Sequence, residues 1–263
     1  MTRRVAVLMG GWSPEREVSL VSGKACAEGL REGGHEVIEY DVKRDLRALV
    51  DFLRPAAGGG PDVVFNALHG RYGEDGCIQG VLEIMQVPYT HSGLLASAIA
   101  MDKPMARHVF TSLGLRVAEG KVIERRSLAS GDPMPRPYVV KPIDQGSSVG
   151  VHIVREGDNL AAVEAAEAAF GERVLIEKFV PGRELTVAVM HDKAVAVTEL
   201  RPKTRFYDYE AKYTDGITEH LIAEWPVDAG EGQGVVARTH DMHADAGALV
   251  NRLHHIGPRQ GIA

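Results

Sequence analysis

The chain opens on a short apolar run, Val5–Leu8, that stops at Gly10-Gly11 and is followed by Ser13-Pro14. A run of that length reads as a strand. A serine able to cap, followed by a proline suited to the first helical turn, predicts a helix behind it. Val18, Val21 and Ala25 recur at three- and four-residue spacing as the inward face of that helix, which Gly33-Gly34 ends, and His35–Val42 supplies a second strand. Asp45–Leu53 reads as a second helix, Gly58-Gly59-Gly60 as a loop and Val63–Leu68 as a third strand. Strands alternating with helices predict an α/β fold with a doubly wound parallel sheet, whose ligands sit beyond the carboxyl ends of its strands. Residues 1–92 are assigned to this domain.

The pattern then changes. Leu94–Leu113 is helical text interrupted at Pro104, Val117–Ile123 is a strand, Pro133–Pro137 a loop and Tyr138–Lys141 another strand. Two strands flank the small-residue loop Gln145–Gly150, a helix is predicted over Asn159–Phe170, and Val174–Phe179 returns as a strand. Leu185–Met190 and Ala194–Leu200 pair about a turn at His191-Asp192-Lys193. This is α+β text, divided into a central part, 93–182, and the start of a further part, 183–222. Residues 223–263 form a Gly- and His-rich stretch of weak periodicity with few large apolar residues.

Composition narrows the classes. With 263 residues, 44% hydrophobic and 25% charged, the chain has the balance of a globular protein with more than one core. A formal net charge of -6 and the lack of any Lys/Arg run longer than two residues argue against nucleic acid as a partner. No stretch approaches the length of a membrane span, and the apolar run after Arg3-Arg4 is too short for a signal peptide. The two cysteines, Cys26 and Cys77, are far apart and form neither a disulfide framework nor a zinc knuckle, so a reducing cytoplasm is the expected location.

The chemistry gathers around the small-residue loop. Gly146-Ser147-Ser148-Val149-Gly150, between two strands, can converge backbone N–H groups and hydroxyls on an anion, although such a loop on its own is most often a plain turn. It lacks the Gly-Lys-Ser/Thr of a Walker loop, and no Gly-x-Gly-x-x-Gly follows the first strand. Lys141 ends the apolar strand just ahead of the loop, where a polyphosphate needs a cation. Lys103 lies at a helix start or break, and Glu177 and Glu184 flank one turn, where a carboxylate could bond an adenine amino group or ribose while Phe179 packs on a base. Taken alone, Lys103 reads more readily as a solvated lysine, and Lys141, Glu177 and Glu184 could equally be exposed strand-end charges.

Taken in order, Lys103, Val139–Pro142, Gln145–Gly150, Val174–Phe179 and Gly182–Val187 resemble the nucleotide site of ATP-grasp enzymes. Gly10–Ser19, Asn66–Gly70, Gly73–Gly76, Met101–Lys103 and Phe206–Tyr213 narrow the resemblance to the D-alanine:D-alanine ligases, over residues 4 to about 222. The resemblance implies an N-terminal α/β domain followed by an incomplete ATP-grasp module. It implies ATP and Mg2+ as cofactors, D-alanine as substrate, a role in peptidoglycan synthesis and a second copy of the chain as a possible partner. Glu15 would orient the amine of the first D-alanine, linked by hydrogen bonds to Ser147 and Tyr213, with His69 lining the same pocket. Lys103, Lys141 and Lys212, with Gly146 and Ser148, would meet the phosphates. Glu177 and Glu184 would hold adenosine, and Lys203–Glu219 would close as a lid. The Phe206–Tyr213 run, rich in tyrosine and alternating charge, is itself the text of a long ordered loop.

The resemblance stops at Ile222. The family's Arg-x-Asp and Glu-x-Asn strands, which bind magnesium, and its later Ser-Leu pair are not found in Ala223–Ala263, and Arg238-Thr239-His240-Asp241 has the wrong spacing to replace them. His240, Asp241, His243 and Asp245 lie in text without periodicity and are not assigned to a metal. A shifted reading frame or a truncated gene would produce such a break, and the expectation drawn from it is a nucleotide-binding remnant of low activity as the alternative to an active ligase.

Overall fold

The computed structural model describes residues 2–54, 60–146, 148, 150–161, 171–190, 193–203 and 216–224. Its contacts divide the chain into two units, Met1–Ala98 and Ile99–Ala263. The first unit contains β1 (Arg4–Gly10), α1 (Arg16–Glu32), β2 (Glu36–Val42), α2 (Leu46–Leu53), β3 (Val63–Asn66) and α3 (Cys77–Ile84), and α4 (Leu94–Met101) crosses the division. Its three strands are parallel in the order β2-β1-β3. Because β1 is central and both crossovers favour the right hand, α1 and α2 must cover opposite faces. The cores bear this out. Val7 and Met9 pack with Ala27, Leu20 and Leu30 of α1, whereas Ala6 and Leu8 pack with Leu49 and Leu53 of α2 and Ile78 and Leu82 of α3. A strand buried on both sides needs an unbroken apolar run, which is how β1 reads.

The inward face of α1 differs from the expected Val18, Val21 and Ala25. Val21 is 73% exposed, and the buried positions are Ser19, Gly23 and Ala27. The cause is proximity: a Cβ at Gly23 would lie 2.5 Å from Met9 Cβ, so the helix approaches β1 too closely for a branched side chain. Nor does Ser13 cap the helix. The capping position is Glu15, without a side-chain cap bond, and Ser13 Oγ donates to the His69 carbonyl at 2.8 Å. Asp45 does cap α2, accepting from Ala48 N at 3.0 Å.

The second unit contains α5 (Lys103–Ser112), β4 (Gly120–Glu124), a 3-10 turn (Arg125–Ser130), β5 (Tyr138–Pro142), β6 (His152–Val154), β7 (Arg173–Lys178), β8 (Glu184–Met190), β9 (Lys193–Pro202) and β10 (Thr218–Glu224). The helical break falls at Asp102 rather than Pro104. Asp102 accepts from Met105 N at 2.8 Å as the cap of α5, and Pro104 occupies the first turn, where no donor is needed. One antiparallel sheet has the order β4-β7-β5-β6 and a second the order β10-β9-β8. In the first, Tyr138, Val140, Val154, Val174 and Ile176 share an apolar face with Leu128 of the 3-10 turn. The period of two then sends Lys141, Leu175 and Glu177 to the other face. β10 pairs with β9 through Ala223 and Glu224, beyond Ile222. The helix expected over Asn159–Phe170 falls mostly on residues 162–170, which lie outside the described residues, as do 204–215 of the expected lid and all of 225–263.

Two glycines of α1 separate helix propensity from packing. Gly29→Ala, which meets nothing within 4 Å, should raise stability by about 0.5–1 kcal/mol. Gly23→Ala should lower it by about 1–3 kcal/mol, because the overpacking against Met9 outweighs the same propensity gain. Urea midpoints of the two variants test this, and a stabilised Gly23→Ala would contradict the close approach.

Candidate active site

In the second unit the site is built on the polar face of the first antiparallel sheet. Val139 stands opposite Glu177 and Lys141 opposite Leu175, so Lys141 and Glu177 are diagonal neighbours on one face. Lys103 and Arg107, one turn apart on α5, meet that face. Lys141 Nζ pairs with Glu177 Oε2, and Arg107 Nη1 pairs with Glu177 Oε1. Arg107 Nη2 donates to the Ala118 carbonyl at 2.7 Å. Lys103 N donates to the Ile143 carbonyl at 3.0 Å, and its Nζ donates to the Gln145 carbonyl. Lys103, Lys141 and Glu177 are 3%, 1% and 6% exposed.

Three cations therefore surround one carboxylate out of water. Uncompensated positive charge is costly there and is relieved by an anion. Burial, and then the charge of Lys141, pull the Lys103 ammonium down to about 8, against the smaller opposing effects of Asp144, Glu177 and Asp102. Gln145 leads into the glycine loop. Gly146 and Ser148 are buried, and the backbone is left-handed at Ser148 (φ 57°) and Gly150 (φ 69°). Such turns gather N–H groups into an anion-binding concavity. Phe179 N donates to the Pro137 carbonyl at 3.2 Å, and the Arg155 guanidinium lies 5.9 Å from the Phe179 ring centre. Glu184 opens β8 opposite Leu200. Ser147, Lys212 and Tyr213 lie outside the described residues, and with them the expected link from Glu15.

In the first unit, Glu15 is 6% exposed and its backbone N donates to Ser13 Oγ at 3.2 Å. Gly70 (φ 69°) has no side chain because a Cβ there would collide with Glu15 Oε2. His69 follows β3. Its Nε2 is 2.9 Å from Ser22 Oγ, and its Nδ1 lies 3.7 Å from Glu74 Oε1. Glu74 raises the His69 imidazole above its ordinary value against the opposing effect of burial, with a further contribution from the charge of Glu15. The structure thus brings Glu15 and His69 into one electrostatic neighbourhood. A cavity of about 210 Å³ at the carboxyl ends of the parallel strands also touches His69, but its walls are mainly apolar, including Leu46, Leu49, Ile78 and Val81.

Sequence reasoning gave no role to Arg107, Ser22 or Glu74. Arg107 is found by its spacing, four residues after Lys103 on a helix, and Glu74 by its place in Gly73-Glu74-Asp75-Gly76. Among the described residues no group of three or more His, Cys, Asp or Glu side chains is placed to hold a metal ion. His240, Asp241, His243 and Asp245 are outside the described residues. No helix among the described residues is long and apolar enough to cross a membrane.

Comparison with known proteins meets the same two parts of the chain. The profile described as D-ala D-ala ligase N-terminus matches residues 47–92, and that described as D-ala D-ala ligase C-terminus matches residues 110–235, past Ile222. The D-alanine–D-alanine ligase of Granulibacter bethesdensis is 54% identical over 220 residues, 84% of this chain and 70% of that protein. The D-alanine–D-alanine ligase of Parvibaculum lavamentivorans is 55% identical over 229 residues, 86% and 72% respectively. The crystal structure of D-alanine–D-alanine ligase from Bacillus anthracis complexed with ATP superposes with a TM-score of 0.67 at 30% identity, covering 86% of this chain and 72% of that one. More than half of the aligned residues are identical to those of relatives matched over two thirds or more of their length, both parts of the family are found in order, and the chain belongs to the D-alanine–D-alanine ligase family.

Proposed function

We propose that this chain joins two D-alanine molecules into D-alanyl-D-alanine at the expense of ATP, in the cytoplasm, as a supply step of peptidoglycan synthesis. The γ-phosphoryl group passes to the carboxylate of the first D-alanine, giving ADP and an acyl phosphate. The amine of the second attacks the acyl carbon and expels phosphate. The observation that carries the reading is the buried cationic face of Lys103, Lys141 and Arg107 around Glu177 beside the glycine loop. Phosphoryl transfer to a carboxylate sets two anions against each other, and preorganised positive charge outside water is what lowers that barrier.

In this reading Lys103, Lys141 and Lys212 hold the phosphates over the backbone of Gly146 and Ser148. Phe179 packs on the base, and Glu177 and Glu184 flank adenosine. Glu15 pairs with the ammonium of the first D-alanine and is tied to Ser147 and Tyr213, and His69 lines that pocket. The residues Lys203–Glu219 close over the nucleotide. Magnesium belongs to the reading through the family. Among the described residues no group of three or more His, Cys, Asp or Glu side chains is placed to hold it. The alternative of a nucleotide-binding remnant rests on the sequence from Ala223 onward. The named relatives support the ligase and lend nothing to the remnant.

Two measurements test the assignment. Incubated with ATP and D-alanine, the chain should release one phosphate per dipeptide, and Glu15→Gln should raise KM for D-alanine by tenfold or more, on the order of one lost charge-assisted bond, with ATP affinity nearly unchanged. ATP turnover indifferent to D-alanine would overturn the ligase, and equal losses for both substrates would make Glu15 structural. The second concerns protons. Free Lys103 is half-charged at about pH 8, and a bound polyphosphate favours its charged form. The complex then holds more protons than the free protein, so affinity falls as pH rises through 8, with roughly half a proton taken up per ADP at that pH. Calorimetry in buffers of different ionisation enthalpy should show this uptake, and Lys103→Met should abolish it. Uptake that persists in Lys103→Met would contradict the assignment.

A further inference from the structure

We infer that Arg107 is a positioning residue of the phosphate site, acting through Glu177 to keep Lys141 available to the nucleotide. The inference rests on the proposed reading of this face as the ATP site. Both described partners of the Arg107 guanidinium are internal, Glu177 Oε1 and the Ala118 carbonyl, and its side chain is 13% exposed. That is the setting of a group that arranges its neighbours.

Glu177 sits between two cations and gives one oxygen to each, Oε1 to Arg107 and Oε2 to Lys141. Its pose is set from the other side by β4. Gly120 stands opposite Glu177 in the ladder, and a Cβ at Gly120 would lie 2.8 Å from Glu177 Cγ. The glycine leaves the space in which the glutamate stem lies, and the carboxylate is presented between α5 and β5. An ammonium has three donors and no fixed plane, whereas a guanidinium holds a fork. With Arg107 holding one oxygen, Lys141 meets Glu177 through the other alone, and that carboxylate offsets only part of its charge. Without Arg107, both oxygens of an otherwise uncompensated buried carboxylate turn to the nearest cation. That cation is Lys141, which is then neutralised as a phosphate ligand. Lys103 keeps its own place beside the loop, with Nζ on the Gln145 carbonyl, and does not take over the contact that Lys141 supplies.

The test is a double-mutant cycle on the full chain, read as ADP affinity by calorimetry, with thermal unfolding recorded for every variant. Arg107→Met should weaken ADP by about tenfold in the native background, and by no more than about twofold when Glu177→Gln is also present, because the glutamine no longer draws on Lys141. In turnover the same variant should raise KM for ATP with kcat within about threefold. Arg107→Lys, which retains the charge needed for folding, should show a smaller loss of about threefold, since lysine cannot hold Glu177 and the Ala118 carbonyl in one plane. Unchanged ADP affinity in both Arg107 variants, or an equal loss with and without Glu177→Gln, would overturn the inference and leave the nucleotide site standing. A folded native chain that binds no ADP would overturn the site and the inference together.

Discussion

The carboxylate of Glu177, shared between Arg107 and Lys141 on one face of an antiparallel sheet, is the interaction on which the chemical half of this molecule depends. The opposite face of the same strands is an ordinary apolar core, with Tyr138, Val140, Val174 and Ile176 fully buried. Strand alternation leaves no choice about which residues turn the other way. Burying Lys141 and Lys103 beside one another is unfavourable, and the pairing with Glu177 makes it tolerable. Removing one member of such a buried set costs about 3–5 kcal/mol because the other charge is left uncompensated. The surplus of positive charge that remains suits the face to a polyanion, and it is the ground on which the phosphate site is proposed there.

The other unit is organised by a steric constraint. α1 lies against β1 through Ser19, Gly23 and Ala27, and the closeness allows Ser19 to work twice. Its hydroxyl accepts from Gly10 N at 2.9 Å and donates to the Ala67 carbonyl at 2.6 Å. One side chain thereby ties the end of β1 to the segment after β3 and fixes the two turns that carry Glu15 and His69. Arg16 completes the turn with a two-bond fork onto Asp41, at 2.8 and 2.7 Å, and holds that carboxyl below its ordinary range. Small residues at the helix–strand contact and charged residues at the turn are thus two parts of one arrangement.

Much of this was legible in the sequence for physical reasons. The unbroken Val5–Leu8 run and its successors announced a parallel sheet, because a strand covered on both sides must be apolar throughout. The positions of Lys141 and Glu177 near the ends of their strands were legible because period-two text meets a turn there. What escaped was of two kinds. The buried face of α1 was misread because hydrophobic periodicity rewards Val18 and Val21, while the true contact selects for small size, a property apolar counting does not see. α3 went unassigned because Cys77–Ile84 is short and has only a glycine before it as a cap. Arg107 was passed over because an arginine in mid-helix looks like a solvated charge until the helix is placed over Glu177. Ser147, Lys212 and Tyr213 rest on resemblance, since they fall outside the described residues.

The central claim is that the cationic face of the second unit recognises phosphate. The most direct measurement is a ladder of affinities for adenosine, AMP, ADP and ATP, taken at constant ionic strength. If Lys103, Lys141 and the glycine loop meet the phosphate chain, affinity should climb along the series, with ADP at least about tenfold tighter than adenosine, on the order of one charge-assisted contact. Lys141→Met should flatten the climb while leaving adenosine where it was. Adenosine bound as tightly as ATP, or a climb untouched by Lys141→Met, would contradict the account.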